Sequence, residues 1–142
     1  MIQCSITRRF TVQAAHHLKR VPEGHKCRRL HGHTYQVAIT LTGVTDPTAG
    51  WFCDFIEIDK AFEEHVMSVI DHQFLNHIPG LGNPTTEVLA RWLHAEISTQ
   101  LLADRVVLTP SGASYRLPEG LELERVRVWE TSSSWAEYVS LE

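Results

Sequence analysis

Cys27 and three histidines, His16, His31 and His33, are the residues of this chain whose types and spacing favour chemistry. All four fall within eighteen residues, and a single glycine separates the last two histidines. Three imidazoles suit a catalytic zinc because they leave its fourth position open to a substrate, whereas a structural zinc is usually closed by four protein ligands. A zinc with an open position binds hydroxyl or carbonyl oxygens and lowers the pKa of the group it binds. The sequence therefore predicts a Zn²⁺ site at these histidines.

The sequence leaves three roles open for Cys27: a reactive base, a structural zinc ligand, or an inert small residue. Its neighbours Lys26 and Arg28 are cations, which favour a thiolate over a thiol and hence a reactive base. Alternatively, Cys27 closes a tetrahedral site together with the three histidines, and the zinc is structural. A Cys27→Ala variant that keeps its zinc favours the first role, and one that loses zinc and unfolds favours the second.

A period of two along the chain brings the histidines together. A first strand is expected over residues 6–16 and a second over about 31–42. Alternate residues of a strand point to one face, so His31 and His33 share a face with the apolar residues that follow. If the two strands pair antiparallel, His16 joins them across the ladder.

Two helices are expected after these strands. Residues 54–57 resemble a capping box that opens the first helix. The second helix starts near Thr85 and continues to Leu101, and Thr85, Thr86 and Glu87 are interpreted first as its N-terminus. The apolar positions of the first helix recur at helical spacing and are Phe55, Ile58, Phe62, Val66 and Val69.

The chain closes with two more predicted strands, over residues 121–130 and 135–141, and residues 104–120 indicate a peripheral hairpin only weakly. The order is therefore ββααββ. It predicts an α+β class, with a four-stranded antiparallel sheet and both helices on one face. A length of 142 residues favours a single domain, residues 1–142.

Two further sites carry polar residues that invite a functional interpretation. Asp71 precedes His72 at the end of the first helix, where it can orient an imidazole that accepts a proton from a thiol; an ordinary helix-end pair is the alternative. Glu130 shares a strand face with Val126 and Val128 and is expected to point inward. An inward carboxylate needs a partner, either in an ion pair or in a ligand edge with two N–H donors.

Composition limits the classes of partner. The net charge of −4 argues against broad nucleic-acid binding. Five of the thirteen Lys and Arg residues nevertheless lie between His16 and His33, with one acid, which suits a small anion such as a phosphate chain. No run of about 20 apolar residues and no signal-peptide pattern occurs, so no membrane partner is expected. Three scattered cysteines favour a reducing cytoplasm.

Short motifs run through most of the chain, residues 104–120 excepted. They are Ala14-Ala15-His16, Gly24-His25-Lys26-Cys27, Leu30-His31-Gly32-His33, Trp51-Phe52-Cys53-Asp54-Phe55, Asp71-His72 followed by Leu75-Asn76, Asn83-Pro84-Thr85-Thr86-Glu87-Val88-Leu89-Ala90, and Trp129-Glu130-Thr131. Together they resemble the 6-pyruvoyl-tetrahydropterin synthase family. The three residues between Cys27 and His31 resemble its 6-carboxytetrahydropterin synthase branch, because the pyruvoyl-forming branch typically has a longer spacer.

The resemblance implies a tunnelling fold (T-fold). Trimers of this fold form a twelve-stranded barrel, and two trimers stack into a homohexamer with active sites at subunit interfaces. The resemblance also implies a role for each matching residue. Zinc is held by His16, His31 and His33; Cys27 is the proton-abstracting base; Asp71 and His72 from a neighbouring subunit complete the relay; Glu130 anchors the pterin; and Thr85, Thr86 and Glu87 line the pterin pocket.

The implied reaction converts 7,8-dihydroneopterin triphosphate to 6-carboxy-5,6,7,8-tetrahydropterin, acetaldehyde and triphosphate, an early step toward the queuosine base of tRNA. The basic residues Lys26 and Arg28 are the expected contacts of the triphosphate. The closest alternative is a 6-pyruvoyl-tetrahydropterin synthase, which stops after eliminating triphosphate. A non-catalytic, zinc-stabilised binding protein is the alternative from another class.

Overall fold

The computed structural model describes residues 2–103, 106–108, 114–116 and 120–140. Its strands are β1 (Gln3–His16), β2 (His31–Val44), β3 (Gln73–Phe74), β4 (Val106–Leu108), β5 (Ser114–Arg116), β6 (Glu122–Thr131) and β7 (Ser134–Val139). Its helices are α1 (Phe55–Phe62), α2 (Ser68–Ile70) and α3 (Thr86–Ala103), and a π-helical turn, Glu63–Met67, joins α1 to α2.

The four long strands β1, β2, β6 and β7 form the antiparallel sheet that the alternating sequence predicts. The predicted count of four strands is too low by one, because β3 pairs in parallel with Ala14 and Ala15 at the end of β1. A strand of two residues carries no alternation in its sequence, so only the contact with β1 defines it. The fold class is α+β, as expected.

Both helical segments pack on the same face of the sheet. Asp54 begins α1 as expected, because its side chain accepts a hydrogen bond from the backbone nitrogen of Ile56, 3.1 Å away. The largest buried side chains of this core come from β2 and from both helical segments. They include Tyr35, Ile39, Leu41, Ile58, Phe62, Leu89, Leu93 and Ile97.

Two of the apolar positions predicted for the first helix are not in the core. Phe55 and Val69 remain 45% and 39% exposed, whereas Ile70 is buried. The π-helical turn inserts an extra residue into the helical repeat, so the buried position moves from Val69 to Ile70. Phe55 is the first residue of α1, ahead of the part of the helix that covers the sheet.

The expected peripheral hairpin is present as a separate two-stranded sheet, in which β4 pairs antiparallel with β5. The other positions between 104 and 119 lie outside the described residues. Across the described parts of the chain, every helix is too short or too polar to span a membrane.

Candidate metal centre and catalytic site

The β1–β2 ladder brings the three histidines together. His16 lies opposite His31 in the register, and Ala14 lies opposite His33. All three imidazoles therefore project from the helix-covered face, as the period of two predicts. One ring nitrogen from each histidine lies within 4.8 Å of those of the other two. His16 is buried, and His31 and His33 are half-buried. We call these residues the three-histidine cluster.

Backbone carbonyls hold two of these rings in a metal-binding tautomer. Nδ1 of His16 lies 2.8 Å from the carbonyl oxygen of Pro84, and Nδ1 of His31 lies 2.7 Å from that of Arg29. A carbonyl can only accept a hydrogen bond, so each Nδ1 carries the proton and each Nε2 presents a lone pair. The two Nε2 atoms are 3.1 Å apart. Two lone pairs at that separation repel each other unless a proton or a cation lies between them.

The environment of the third ring, His33, also fits a bound metal. Among the described residues, Nε2 of His33 is buried and makes no hydrogen bond. Its nearest charged neighbour is Oε1 of Glu130, 3.1 Å away. A buried polar nitrogen without a hydrogen bond is unfavourable, and coordination to a cation would satisfy it. The donor set of three imidazoles, with protons held on the far side of two of them, fits Zn²⁺.

The surroundings favour the neutral form of His16 and His33. Burial lowers the pKa of His16, and the hydrogen bond to the Pro84 carbonyl only partly opposes this effect. Burial also lowers the pKa of His33, against the opposing charge of Glu130. Metal ions bind the neutral imidazole, so both shifts preserve the ligand form at mildly acid pH. Beneath the rings, burial raises the pKa of the Tyr35 phenol, which stays protonated.

These shifts predict how the stability of the metal-free protein depends on pH. The unfolded chain binds a proton at His16 near pH ~6.5, whereas the folded chain binds it only at lower pH. The free energy of unfolding is therefore expected to fall as the pH drops below ~6.5 toward the lowered folded value. Urea midpoints at about pH 7.5 and about pH 5.5, at fixed protein concentration, measure this loss. A His16→Gln variant is expected to lose less between the two pH values; an equal loss would contradict the assignment.

Cys27 lies beside the three-histidine cluster in sequence but is not one of its members. It occupies the middle of a 3₁₀ turn, Lys26–Arg28, and is half-buried. Its backbone nitrogen donates to Nδ1 of His25 at 3.0 Å, and its carbonyl oxygen accepts from the backbone nitrogen of Leu18 at 2.7 Å. By contrast, burial raises the pKa of the Cys53 thiol to about 12, so Cys53 is inert.

Glu130 points inward, as its strand face predicts, and its partners are the histidines. Oε1 of Glu130 lies 3.1 Å from Nε2 of His33 and 3.6 Å from Nε2 of His16. The side chain of Glu130 is 30% exposed, so it is not fully enclosed by the histidines. Both of the partners that we considered from sequence, a structural ion pair and a ligand edge, are compatible with this position.

Asp71 and His72 form a fixed pair at the edge of the sheet. Oδ2 of Asp71 lies 2.8 Å from Nδ1 of His72, and Oδ1 accepts from the backbone nitrogen of Gln13 at 2.9 Å. The hydrogen bond from Gln13, followed by that from His72, lowers the pKa of Asp71. His72 has a positive φ of 57°, and its side chain is 75% exposed. Within the described residues, neither side chain is hydrogen-bonded to Cys27 or to the three-histidine cluster.

A cleft of about 580 Å³ lies at this edge, and both His33 and His72 line it. The rest of its lining comes from β3 and from the adjoining ends of β1 and β2. The cleft therefore places the Asp71–His72 pair at the same end of the sheet as the three-histidine cluster.

The remaining predicted residues lie at the start of α3 and in the loop after β1. The hydroxyl of Thr85 accepts from the backbone nitrogen of Val88 at 3.2 Å and so caps the helix, while Thr86 is half-buried and Glu87 is exposed. Lys26 and Arg28 are exposed. Nη1 of Arg28 donates to two carbonyl oxygens of its own loop.

Sequence reasoning missed three groups that support the site. The carbonyls of Pro84 and Arg29 select the tautomers of two histidines, but a backbone carbonyl has no sequence signature. The third group is the side-chain amide of Asn76. Its oxygen accepts from the backbone nitrogen of His17 at 2.9 Å, and its nitrogen donates to the backbone carbonyl oxygen of His17 at 2.8 Å. This amide anchors the end of β1. Its position in the Leu75-Asn76 motif was the available signal.

Comparison with known proteins places the chain among pterin enzymes. A 6-carboxy-5,6,7,8-tetrahydropterin synthase of Synechocystis is 36% identical over 96 residues, 65% of this chain and 73% of the relative. A dihydroneopterin monophosphate aldolase of Pyrococcus furiosus is 29% identical and covers 91% of both chains. The structure of Caenorhabditis elegans 6-pyruvoyl tetrahydropterin synthase matches the fold with a TM-score of 0.77, at 22% identity, over 99% of this chain and 98% of that one. The family model described as 6-pyruvoyl tetrahydropterin synthase matches residues 5–140, and the chain belongs to this family.

Proposed function

We propose that this protein is a zinc-dependent carbon–carbon lyase, a 6-carboxytetrahydropterin synthase that acts in the cytoplasm on the route to queuosine. Its substrate is 7,8-dihydroneopterin triphosphate, and with water it forms 6-carboxy-5,6,7,8-tetrahydropterin, acetaldehyde and triphosphate. The observation that carries the proposal is the convergence of His16, His31 and His33 with Cys27 outside their cluster. The 36% identity to a protein of that name supports the choice of reaction.

The three-histidine cluster is the proposed holder of the zinc. When bound there, Zn²⁺ supplies a Lewis acid for the hydroxyl and carbonyl oxygens of the substrate side chain. The Pro84 and Arg29 carbonyls contribute by keeping the protons on Nδ1 of His16 and His31. Both Nε2 atoms therefore face the site without any change of tautomer.

Cys27 is the proposed base. Its thiolate takes a proton from a carbon of the substrate side chain, and the electron pair that is left expels triphosphate from the neighbouring carbon. A retro-aldol-like step then breaks the carbon–carbon bond. Water adds to the carbonyl that stays on the pterin and leaves it as a carboxylate, while the two-carbon fragment takes up a proton and leaves as acetaldehyde. Proton transfer by a positioned base contributes roughly 10²–10⁴ to the rate, so binding and positioning supply the rest.

Asp71 and His72 from a neighbouring subunit are proposed to accept the proton from Cys27. Asp71 accepts the Nδ1 proton of His72 at 2.8 Å, which leaves Nε2 of that ring free to receive another proton. The Gln13 amide holds the second carboxylate oxygen, so the imidazole keeps its orientation on an exposed edge. An exposed pair without a contact to its own Cys27 suits a site completed by a second subunit.

Substrate binding is assigned by charge and hydrogen-bond type. Glu130 offers a partly exposed carboxylate beside the histidines, which matches the two N–H donors of the pterin 2-amino-4-oxo edge. Thr85, Thr86 and Glu87 lie at the start of α3, directly after the carbonyl that holds His16. Lys26 is the proposed direct contact of the triphosphate. Arg28 adds its charge to the same loop.

The proposed assembly is a homohexamer, a dimer of trimers. Within the described part of the chain, β7 ends the main sheet on one side, and on the other side β3 covers only two residues of β1. Open sheet edges are usually paired or protected, and a neighbouring copy would pair them here. Light scattering of the purified protein is expected to give a mass near six chains.

Product identification tests the proposal. Zinc-loaded protein is incubated with 7,8-dihydroneopterin triphosphate, and every product is identified by mass. We expect 6-carboxytetrahydropterin, acetaldehyde and triphosphate. Triphosphate without acetaldehyde would instead support a 6-pyruvoyl-tetrahydropterin synthase, and absence of turnover would support a non-catalytic zinc protein.

A second candidate follows from the relative named dihydroneopterin monophosphate aldolase, which aligns over 91% of this chain. An aldolase would break the carbon–carbon bond without expelling phosphate. Its products would be a hydroxymethyl pterin and a phosphorylated aldehyde. The same mass analysis separates this outcome from the three named above, provided that the monophosphate is included as a second substrate.

A further inference from the structure

The loop between β1 and β2, residues 17–30, carries Cys27, and we call it the Cys27 loop. It has little apolar burial, since most of its residues are exposed. Its shape therefore depends largely on hydrogen bonds, and several of these are made within the loop. Two of these involve Arg28, the residue next to the proposed base.

Arg28 binds the opposite arm of the loop. Its Nη1 atom donates to the carbonyl oxygen of Lys19 at 2.8 Å and to that of Val21 at 3.0 Å. Hydrogen bonds from a charged donor are about twice as strong as neutral ones, and the rigid guanidinium holds both acceptors in one geometry. A lysine in its place would keep the charge but not this planar, preorganised geometry.

The two arms also meet at Cys27 itself. The carbonyl oxygen of Cys27 accepts from the backbone nitrogen of Leu18, and the backbone nitrogen of Cys27 donates to His25. Leu18 and Lys19 are adjacent, so the Arg28 contact and the Leu18 contact close the same end of the loop. Movement of Arg28 away from its carbonyls would therefore loosen the backbone that positions the thiol.

We propose that Arg28 is a positioning residue, whose guanidinium closes the Cys27 loop and so fixes the Cys27 thiol relative to the three-histidine cluster. The proposal rests on the proposed function, because it takes Cys27 to be the base. It differs from the expectation that Arg28 is a direct phosphate contact. A phosphate contact affects the KM for substrate, and a lysine substitutes for it in part. A positioning residue affects kcat and the accessibility of the thiol.

The test uses Arg28→Lys and Arg28→Gln, with Arg20→Gln as the matched control. Arg20 is an exposed cation of the same loop and takes part in none of the loop hydrogen bonds described above. The first measurement is the rate at which iodoacetamide alkylates Cys27 in the zinc-loaded protein without substrate, followed by residue-resolved mass spectrometry. Arg28→Lys is the decisive variant, because it preserves the cation beside the thiol.

We expect Arg28→Lys to raise the Cys27 alkylation rate about tenfold, since loss of a charged hydrogen bond opens the loop by roughly that factor. The rate in Arg20→Gln stays within about twofold of wild type. In turnover, both Arg28 variants lower kcat about tenfold while KM changes by less than about threefold. Zinc content stays at the wild-type value in all variants.

Wild-type alkylation and kcat in Arg28→Lys would overturn the proposal. So would a rise in KM in Arg28→Gln that lysine restores, which would identify a phosphate contact. Alkylation needs no substrate, so it decides the role of Arg28 in the loop even if the product analysis rejects the proposed reaction.

Discussion

Replacement of Cys27 by alanine is expected to lower kcat by about 10²–10⁴ while the protein keeps its zinc and its fold. The thiol is half-buried in a turn and lies outside the three-histidine cluster, so its loss removes no metal ligand. The measurements are kcat for acetaldehyde release, zinc per chain, and the free energy of unfolding. Substitution of a half-buried small side chain is expected to change the last by less than about 1 kcal/mol.

Cys4→Ala is the matched control, because it removes another half-buried thiol. Cys4 lies opposite Gly43 at the far end of the β1–β2 ladder from His16 and His31. This variant should therefore retain wild-type kcat. Loss of zinc together with unfolding in Cys27→Ala would show that the sulfur is a fourth ligand, and the protein would then be a zinc-stabilised scaffold.

Replacement of His33 by alanine is expected to weaken zinc binding by about 100-fold or more, and turnover should fall to the level of the metal-free protein. Loss of a group that merely supports a ligand already costs about 10–100-fold in metal affinity, and loss of a ligand costs more. His33 is the most informative of the three positions, because among the described residues its buried Nε2 has no hydrogen bond that metal binding must break. Competition with a zinc chelator measures the affinity.

His65→Ala is the control for His33→Ala, because His65 is an exposed histidine in the π-helical turn. Added zinc should raise the unfolding temperature of the wild type and of His65→Ala, since a ligand that binds only the native state stabilises it. In His33→Ala the same addition should have little effect. Full zinc occupancy with an unchanged zinc-induced shift would place the metal elsewhere.

The Arg28 and Cys27 variants, combined in one protein, show whether Arg28 acts through the Cys27 thiol. If Arg28 acts through the loop, its effect on kcat should largely disappear in a Cys27→Ala background, because there is no thiol left to position. Effects of residues that act as one unit are strongly non-additive in this way. Zinc content distinguishes the two kinds of variant: loss of a metal ligand is expected to lower it, whereas loss of a loop contact is expected to leave it unchanged.

The sequence was sufficient for several features that rest on a local pattern. The period of two assigned His31 and His33 to one face of β2, because alternate residues of any strand share a face. Asp54 predicted the start of α1, since a cap depends on residues only a few positions apart. The family resemblance rests on short motifs of this kind and is confirmed by the match over residues 5–140.

Features that depend on contacts distant in sequence needed the tertiary structure. The register of β1 against β2 brings His16 to His31, and the fold brings the Pro84 carbonyl, 68 residues away, to the same ring. The inward direction of Glu130 was predictable, but its partner His33 was not. A π-helical turn moved the buried position from Val69 to Ile70 against the regular helical spacing. Sequence patterns encode which way a side chain points, but packing decides which groups surround it. Backbone groups such as the Pro84 carbonyl are chemically alike at almost every position, so the sequence does not show which of them will contact a given ring.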